Sequence, residues 1–384
     1  FGSSSSNTHT RLYSSSNVYN NDDDEYSKKK ARIVFLGTPD VAATSLQSIV
    51  EESKKENSCF EVVGVVTQPP KRRKRGGKVI PSPVGYAAEE LEIPVILCPE
   101  KAKDVDFLEE MESLNVDLCI TAAYGQYLPK RFLKVPKLGT LNIHPSLLPR
   151  WRGASPVQRS LEAGDNPIGV SVLFTVSKMD AGPIVTQQTS QIDDNDTATT
   201  VLPHLFQLGT QSLIDIIPDV IQRKTTFDTA TIQDEQLVLN ADLIHSSEGE
   251  LKVWTDSAKS CHDKTRGFSM WPGTFMYFKI GDDNDSDNDE QQQTPVKVKI
   301  IQTRLLPDND EDDVTITPIT NVVHMGPNKK DGLRVVCGDG SVLELLQVQP
   351  ATRKAMDAKS YVNGLQGQTL RWVQPPPTPE SETS

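Results

Sequence analysis

No uninterrupted apolar stretch approaches the roughly 20 residues that a membrane-spanning helix needs, so no membrane partner is expected. No C-x-x-C pair occurs. Cys59, Cys98, Cys119, Cys261 and Cys337 are odd in number and scattered, which supports neither a zinc ribbon nor a disulfide scaffold. No metal-ligand cluster stands out, and no metal is expected. The first apolar strand runs into FLGTPD, with one glycine where a dinucleotide fold needs G-x-G-x-x-G. No G-x-x-x-x-G-K-[ST] occurs either, so NAD, FAD and ATP have no support. No internal repeat is visible, which excludes solenoids and propellers.

Net positive charge is also missing. The 384 residues carry a formal charge of −12, which taken alone argues against a nucleic-acid partner. The acid is concentrated, however. Residues 22–25, 281–290 and 307–313 hold fifteen carboxylates and no Lys or Arg, and setting them aside turns −12 into +3 for the remainder. The folded part is near neutral, so its field must be judged segment by segment.

Residues 1–30 are rich in Ser and Asn and poor in aliphatic side chains, and they read as a disordered leader. They resemble what remains of an organellar transit segment, although an ordinary polar tail fits as well. Regular structure is predicted from residue 31. IVFLG (33–37) is a short apolar run of the kind that forms a buried parallel strand. Strands at 60–67, 93–97, 116–123 and 139–144 alternate with helical spacing, as in βαβ units of an α/β fold with a mainly parallel, doubly wound sheet. Two further strands are predicted at 168–176 and 182–192. A long helix follows over 197–222, interrupted or kinked near Pro203. Residues 31–222 therefore read as one α/β domain and 223–242 as a linker. Residues 243–374 read as a small β-barrel, OB-like, and 375–384 as a tail. The barrel strands are predicted at 274–280, 295–306, 333–338 and 341–350, with the later acidic runs in loops between them.

The densest chemistry lies in LNIHPSLLPRWRGASPVQRSLEAGD (141–165), at the C-terminal end of a central strand, where open α/β sheets place their sites. Asn142 and His144 are two apart and share one face. An amide donor beside an imidazole suits a developing oxyanion. A turn-capping Asn and a packed His are the plainer alternative. Asp180, in KMDAGPIV, could orient His144, or could serve only its turn. Lys71, Arg72, Arg73, Lys74, Arg75 and Lys78 place six cations in eight residues after the second strand. Beside a site, such a run suits phosphate contact; elsewhere it is a solvated face.

Together these motifs carry a resemblance. FLGTPD, VVTQPP with PSPV, AAYGQYLP, LNIHPSLLPRWRGASPVQRSLEAGD, MDAGP and LLQVQPATRKAMDAKSYVNG follow the order found in the methionyl-tRNA formyltransferase family, of the folate-dependent formyltransferase superfamily. The resemblance implies a Rossmann-like formyltransferase domain followed by a β-barrel that supports tRNA. It implies formyl transfer from 10-formyltetrahydrofolate to the α-amino group of methionyl initiator tRNA. It implies Asn142, His144 and Asp180 as the catalytic set, and Ser146, Leu147, Leu148 and Pro149 as the folate-contacting stretch. Arg75 takes the position of the loop arginine that reaches the acceptor stem. The basic loop departs from the family: it reads KRRKRGGK rather than the Arg-Pro-Ala-Gly-Arg-Gly common in bacteria. A folate-dependent formyltransferase acting on a sugar-nucleotide or other small amine would share the catalytic set without needing residues 71–78 or the barrel. An RNA-binding protein with an inactive domain is a third reading. A mitochondrial location is expected, with plastid as the alternative, and a monomer is expected.

Overall fold

The computed structural model describes residues 29–72, 77–281, 294–306, 321–328 and 330–375. Most of the leader, both later acidic runs, most of the tail, and Arg73, Lys74 and Arg75 lie outside the described residues. The N-terminal half opens with β1 (Ala31–Gly37), α1 (Asp40–Ser53) and β2 (Phe60–Val66). The hairpin strands β3 (Lys71–Arg72) and β4 (Val79–Ile80) follow, then α2 (Pro83–Glu90), β5 (Ile96–Leu97), α3 (Val105–Ser113) and β6 (Leu118–Ala122). Next come α4 (Lys130–Leu133), β7 (Thr140–His144), β8 (Arg152–Gly153), α5 (Pro156–Glu162), β9 (Ile168–Phe174), β10 (Ile184–Ser190) and α6 (Ala198–Ile221).

Seven strands form one sheet in the order β10-β9-β7-β6-β1-β2-β5. The five from β7 to β5 run parallel, and β9 and β10 are antiparallel to their neighbours. The sequence predicts this mainly parallel sheet because strands buried on both faces read as continuous apolar runs; every residue of β9 is buried. Helix α1 follows the same logic. Ala42, Leu46, Ile49 and Val50 fall on one stripe and are buried, at the spacing of a helix that covers a core. One core fills the sheet face covered by α1, α2, α5 and α6. A second lies under α3 and α4, around Phe107, Met111 and Phe132. Gly209 lets α6 lie close on the sheet: a Cβ there would come 2.6 Å from Val170 and 2.7 Å from Ile143.

Two expectations change. The strand predicted at 93–97 shrinks to Ile96–Leu97. Pro94 has no N–H for a ladder, and this is an edge strand, where such a residue is tolerated. The helix over 198–221 is continuous, with Pro203 and Pro218 inside it. Each proline removes one donor, but buried residues from Ala198 to Val220 dock the whole length and hold it together.

The C-terminal half begins with β11 (Asn240–Ala241) and α7 (Ala258–Gly267). Strands β12 (Thr274–Gly281), β13 (Val296–Leu305), β14 (Val322–Met325), β15 (Leu333–Val336) and β16 (Val342–Pro350) follow, then β17 (Met356–Asp357), α8 (Ala358–Asn363) and β18 (Thr369–Val373). The order β13-β12-β18-β14-β15-β16, with β13 also pairing β16, closes a six-stranded barrel. The sequence reading missed β14 and β18, each only four or five residues long. It also missed α7, whose apolar content is low because polar residues fill its buried face against the other domain.

That seam is specific. The His262 Nε2–H donates to the carbonyl of Asp194 at 2.9 Å, and its Nδ1 lies 2.8 Å from the Thr303 hydroxyl. Arg266 donates to the carbonyls of Asp193 and Asp196 and pairs with Asp263. Gly267 allows α7 to touch α5: a Cβ would lie 2.7 Å from the carbonyl of Gln158.

Burial pushes the His262 pKa below the ordinary imidazole value, outweighing its bond to the Asp194 carbonyl. In the unfolded chain His262 takes a proton near pH ~6.5, where the folded chain refuses it. Stability is therefore lost as pH falls through that value toward the lower, folded one. Melting curves at about pH 7.5 and 5.5 should show a larger drop for wild type than for His262→Gln. Equal drops would remove His262 as a source of acid sensitivity.

Candidate functional site

Strand β7 delivers Asn142 and His144 to the C-terminal edge of the sheet. β7 pairs in parallel with β6, and Thr121 lies directly opposite Asn142. The Thr121 hydroxyl donates to Asn142 Oδ1 at 2.7 Å. This fixes the amide with its oxygen engaged, and Nδ2 has no partner among the described residues. Thr121 was not foreseen; the signal for it is the register of β6 against β7, which places a hydroxyl opposite the amide.

His144 is 4% exposed. Its Nε2 lies 2.9 Å from the carbonyl of Trp151. A carbonyl only accepts, so Nε2 carries the proton and Nδ1 carries the lone pair of the neutral ring. Nδ1 faces Asp180 Oδ2 at 3.7 Å. Asp180 sits in the turn between β9 and β10 at φ +49°, and Oδ2 accepts the Gly153 N–H at 3.0 Å. The structure thus brings together Asn142, His144 and Asp180. Three segments hold them: β7, the loop 151–153 that follows it, and the 178–183 turn.

The loop after His144 is fixed from both sides. The Ser146 hydroxyl donates to the Arg150 carbonyl, and the Ser171 hydroxyl donates to the Ser146 carbonyl. Ser171 Oγ also accepts the Leu148 N–H, and Gln187 donates to the Leu148 carbonyl. The backbone at 146 and 148 is therefore already bonded. Leu148 is buried with Leu173 and Ile184, so its side chain serves packing, while Leu147 and Pro149 are half-buried. Asp165 anchors the far end of the loop, accepting from Arg150, Trp151 and Ser160. Burial raises its pKa, but these bonds and the Arg150 charge outweigh burial and hold it below the ordinary carboxylate value. Arg150 also lies over the Trp151 ring, 4.7 Å from the centroid, a cation–π contact.

The basic loop begins as an exposed hairpin at the end of β2. Lys71 and Arg72 pair across to Ile80 and Val79. Lys71, Arg72 and Lys78 are exposed, and none makes an ion pair among the described residues. β2 is parallel to β7 through β1 and β6, so the hairpin leaves the same edge of the sheet as His144. Among the described residues no group of three or more His, Cys, Asp or Glu could hold a metal ion, and no helix is long and apolar enough to cross a membrane.

This arrangement can donate a hydrogen bond from Asn142, accept a proton at His144 Nδ1, and stabilise the resulting imidazolium with Asp180. Those are the requirements of acyl transfer to an amine. Comparison with known proteins agrees. The family description "Formyl transferase" matches residues 31–217, and "Formyl transferase, C-terminal domain" matches residues 244–366. A methionyl-tRNA formyltransferase from Lysinibacillus sphaericus is 33% identical over 332 residues, 86% of this chain and 95% of that protein. Another from Staphylococcus epidermidis is 33% identical over 336 residues, 88% of this chain and 97% of that protein. Among solved structures, an N-formyltransferase from Helicobacter canadensis in complex with folinic acid and dTDP-3-aminofucose aligns with a TM-score of 0.55. It covers 83% of this chain and 99% of that chain at 15% identity, a likeness of fold.

Gly182 closes the turn that carries Asp180. A Cβ there would stand 1.7 Å from the carbonyl oxygen of Phe174, so the backbone must move. Gly182→Ala should cost about 1–3 kcal/mol, measurable as a lower urea midpoint. An unchanged midpoint would show that the turn is slack.

Proposed function

The chain belongs to the methionyl-tRNA formyltransferase family, and from that premise we propose that it formylates the α-amino group of methionyl initiator tRNA with 10-formyltetrahydrofolate as donor. The observation that carries this reading is the convergence of Asn142, His144 and Asp180 at the sheet edge from which the basic hairpin departs. The bound donor supplies an electrophilic formyl carbon. The loop Ser146, Leu147, Leu148 and Pro149 would hold it, chiefly through the half-buried Leu147 and Pro149. Asn142 Nδ2, turned outward by Thr121, fits the formyl oxygen as it gains negative charge. His144 Nδ1 takes the proton from the attacking nitrogen, and Asp180 stabilises the imidazolium so formed. Once protonated, Nδ1 becomes a second donor for the oxyanion and then gives its proton to the donor's departing nitrogen, so that the donor C–N bond breaks, the new amide forms and tetrahydrofolate leaves. Lys71, Arg72, Arg73, Lys74, Arg75 and Lys78 attract the phosphates of the tRNA. A monomer is part of the proposal. Formylated methionine serves initiation on ribosomes of bacterial type. The polar leader 1–30 supports an organelle, mitochondrion before plastid.

The first test is formylation of charged initiator tRNA beside small primary amines, including amino sugars. Turnover of the small amines alone would overturn the reading. Asn142→Ala, His144→Ala and Asp180→Ala should each lower kcat by about 10²–10³ with tRNA affinity nearly intact. The combined loss should fall far short of the product, since the groups act as one unit. Thr121→Val should lower kcat by about tenfold, less than losing the donor itself, because Asn142 remains but loses its fixed orientation. Full-rate turnover by any of the first three would remove that residue from the mechanism.

Affinity for tRNA against salt tests the hairpin. Neutralising Lys71, Arg72, Arg73 and Lys74 should reduce the slope of log K on log[salt] by up to about 3, near 0.7–0.9 per phosphate contact. Arg75→Ala should weaken binding with a slope change of about 1. Wild-type slopes and affinities in both variants would mark the hairpin as solvated surface.

A further inference from the structure

The segment joining the two domains is tied to the site by Gln233, while its exposed Glu235 pairs with Arg152 and Lys178 at the rim. Gln233 is 6% exposed. Its Nε2 donates to the carbonyl of Asp180 at 2.8 Å and to that of Gly182 at 2.7 Å. Its Oε1 accepts from Arg152 Nε at 2.9 Å. The amide's two hydrogens and its oxygen are all engaged. Arg152 lies between Trp151, whose carbonyl binds His144, and Gly153, whose N–H binds the Asp180 carboxylate. Gln233 therefore holds the main chain of the Asp180 turn on one side of the His144–Asp180 contact and the Arg152 side chain, in the loop that carries Trp151 and Gly153, on the other.

Asp180 needs such support. At φ +49° it occupies the left-handed region, which Asp tolerates better than most residues but at a cost that its surroundings must offset. Neighbouring bonds place Gln233 accurately. Ile184 and Thr231 exchange two backbone bonds at 2.7 and 2.9 Å. The Arg152 N–H donates to the Leu239 carbonyl, and β8 pairs with β11.

We infer that Gln233 is a positioning residue, which sets the separation of Asp180 from His144 and makes the catalytic geometry depend on how the interdomain segment docks. The inference rests on the formyl-transfer reading for its kinetic consequence, but not for the hydrogen bonds themselves. Gln233→Met keeps the volume and removes the donors and the acceptor. Gln233→Asn keeps an amide one methylene shorter, and stands in for it should the Met variant fail to fold.

The experiment combines steady-state formylation of charged tRNA, amide hydrogen exchange and thermal melting on the full chain. In either variant kcat should fall about 10- to 100-fold, the scale of a 1 Å misplacement, while KM for both substrates stays within about twofold. The Gly153 amide, which donates to Asp180, should exchange faster, and amides of β1 and β6 should keep wild-type rates. Wild-type kcat and wild-type Gly153 exchange in a folded variant would overturn the inference. So would exchange that speeds up equally across the domain, because Gln233 would then be merely structural. Should the wild-type protein fail to formylate charged tRNA, the proposed function falls. Gly153 exchange would still decide whether Gln233 holds the carboxylate.

Discussion

The imidazole of His144 commits its Nε2–H to the carbonyl of Trp151, which leaves Nδ1 for Asp180 at 3.7 Å. That contact is the constraint on which the rest of the site depends. The separation is too long for a direct hydrogen bond and short enough for a strong charge interaction once the ring is protonated. At this distance the carboxylate faces the neutral ring without locking it. A pair of this kind works only if neither partner drifts. The surroundings supply rigidity from three directions: the strand register under His144, the Gly153 N–H on the carboxylate, and the interdomain segment under the turn.

Much of this arrangement was legible in the residues. Buried parallel strands are continuous apolar runs, so IVFLG and its successors announce an α/β sheet. An Asn and a His two apart at the end of such a strand must share a face. What stayed hidden depends on tertiary register. Thr121 reaches Asn142 only because β6 and β7 align those two residues, and Gln233 reaches Asp180 across 53 positions of sequence. No local pattern marks a single polar residue in a polar connector as a clamp. The packing of Leu148 was hidden in the same way. An apolar residue in a site loop reads as a ligand contact, but here it fills a small core with Leu173 and Ile184.

The seam between the domains joins two ion pairs, Arg159–Glu248 at 2.8 Å and Lys264–Glu162 at 3.7 Å, to bonds that end on the backbone. Arg266 and His262 bind backbone carbonyls of residues 193–196 rather than carboxylates. Carbonyls are fixed by the fold and point one way, so these bonds set orientation. A buried ion pair contributes little net stability once desolvation is counted, and the Arg266–Asp263 pair belongs mostly to α7 itself. The barrel is thereby held in one pose against α5 and the 193–196 loop. The same pose fixes where the connector between α6 and β11 must run.

The clamp at the end of that connector is an amide, and the choice has an electrostatic reason. A cation at position 233 could also donate to the carbonyls of Asp180 and Gly182. It would lie close to the buried Arg152 guanidinium, however, and would compete with His144 for the field of Asp180. A carboxylate could bind Arg152 but has no donor for the carbonyls when ionised. Only a neutral group with two donors and one acceptor matches all three partners and adds no charge to the pair it holds. Arg152 already has its own counter-charge, Glu235 at 2.9 Å, which in turn meets Lys178. One carboxylate of the supporting shell thus serves two cations. His144 and Asp180 are left to respond to the proton that the reaction moves.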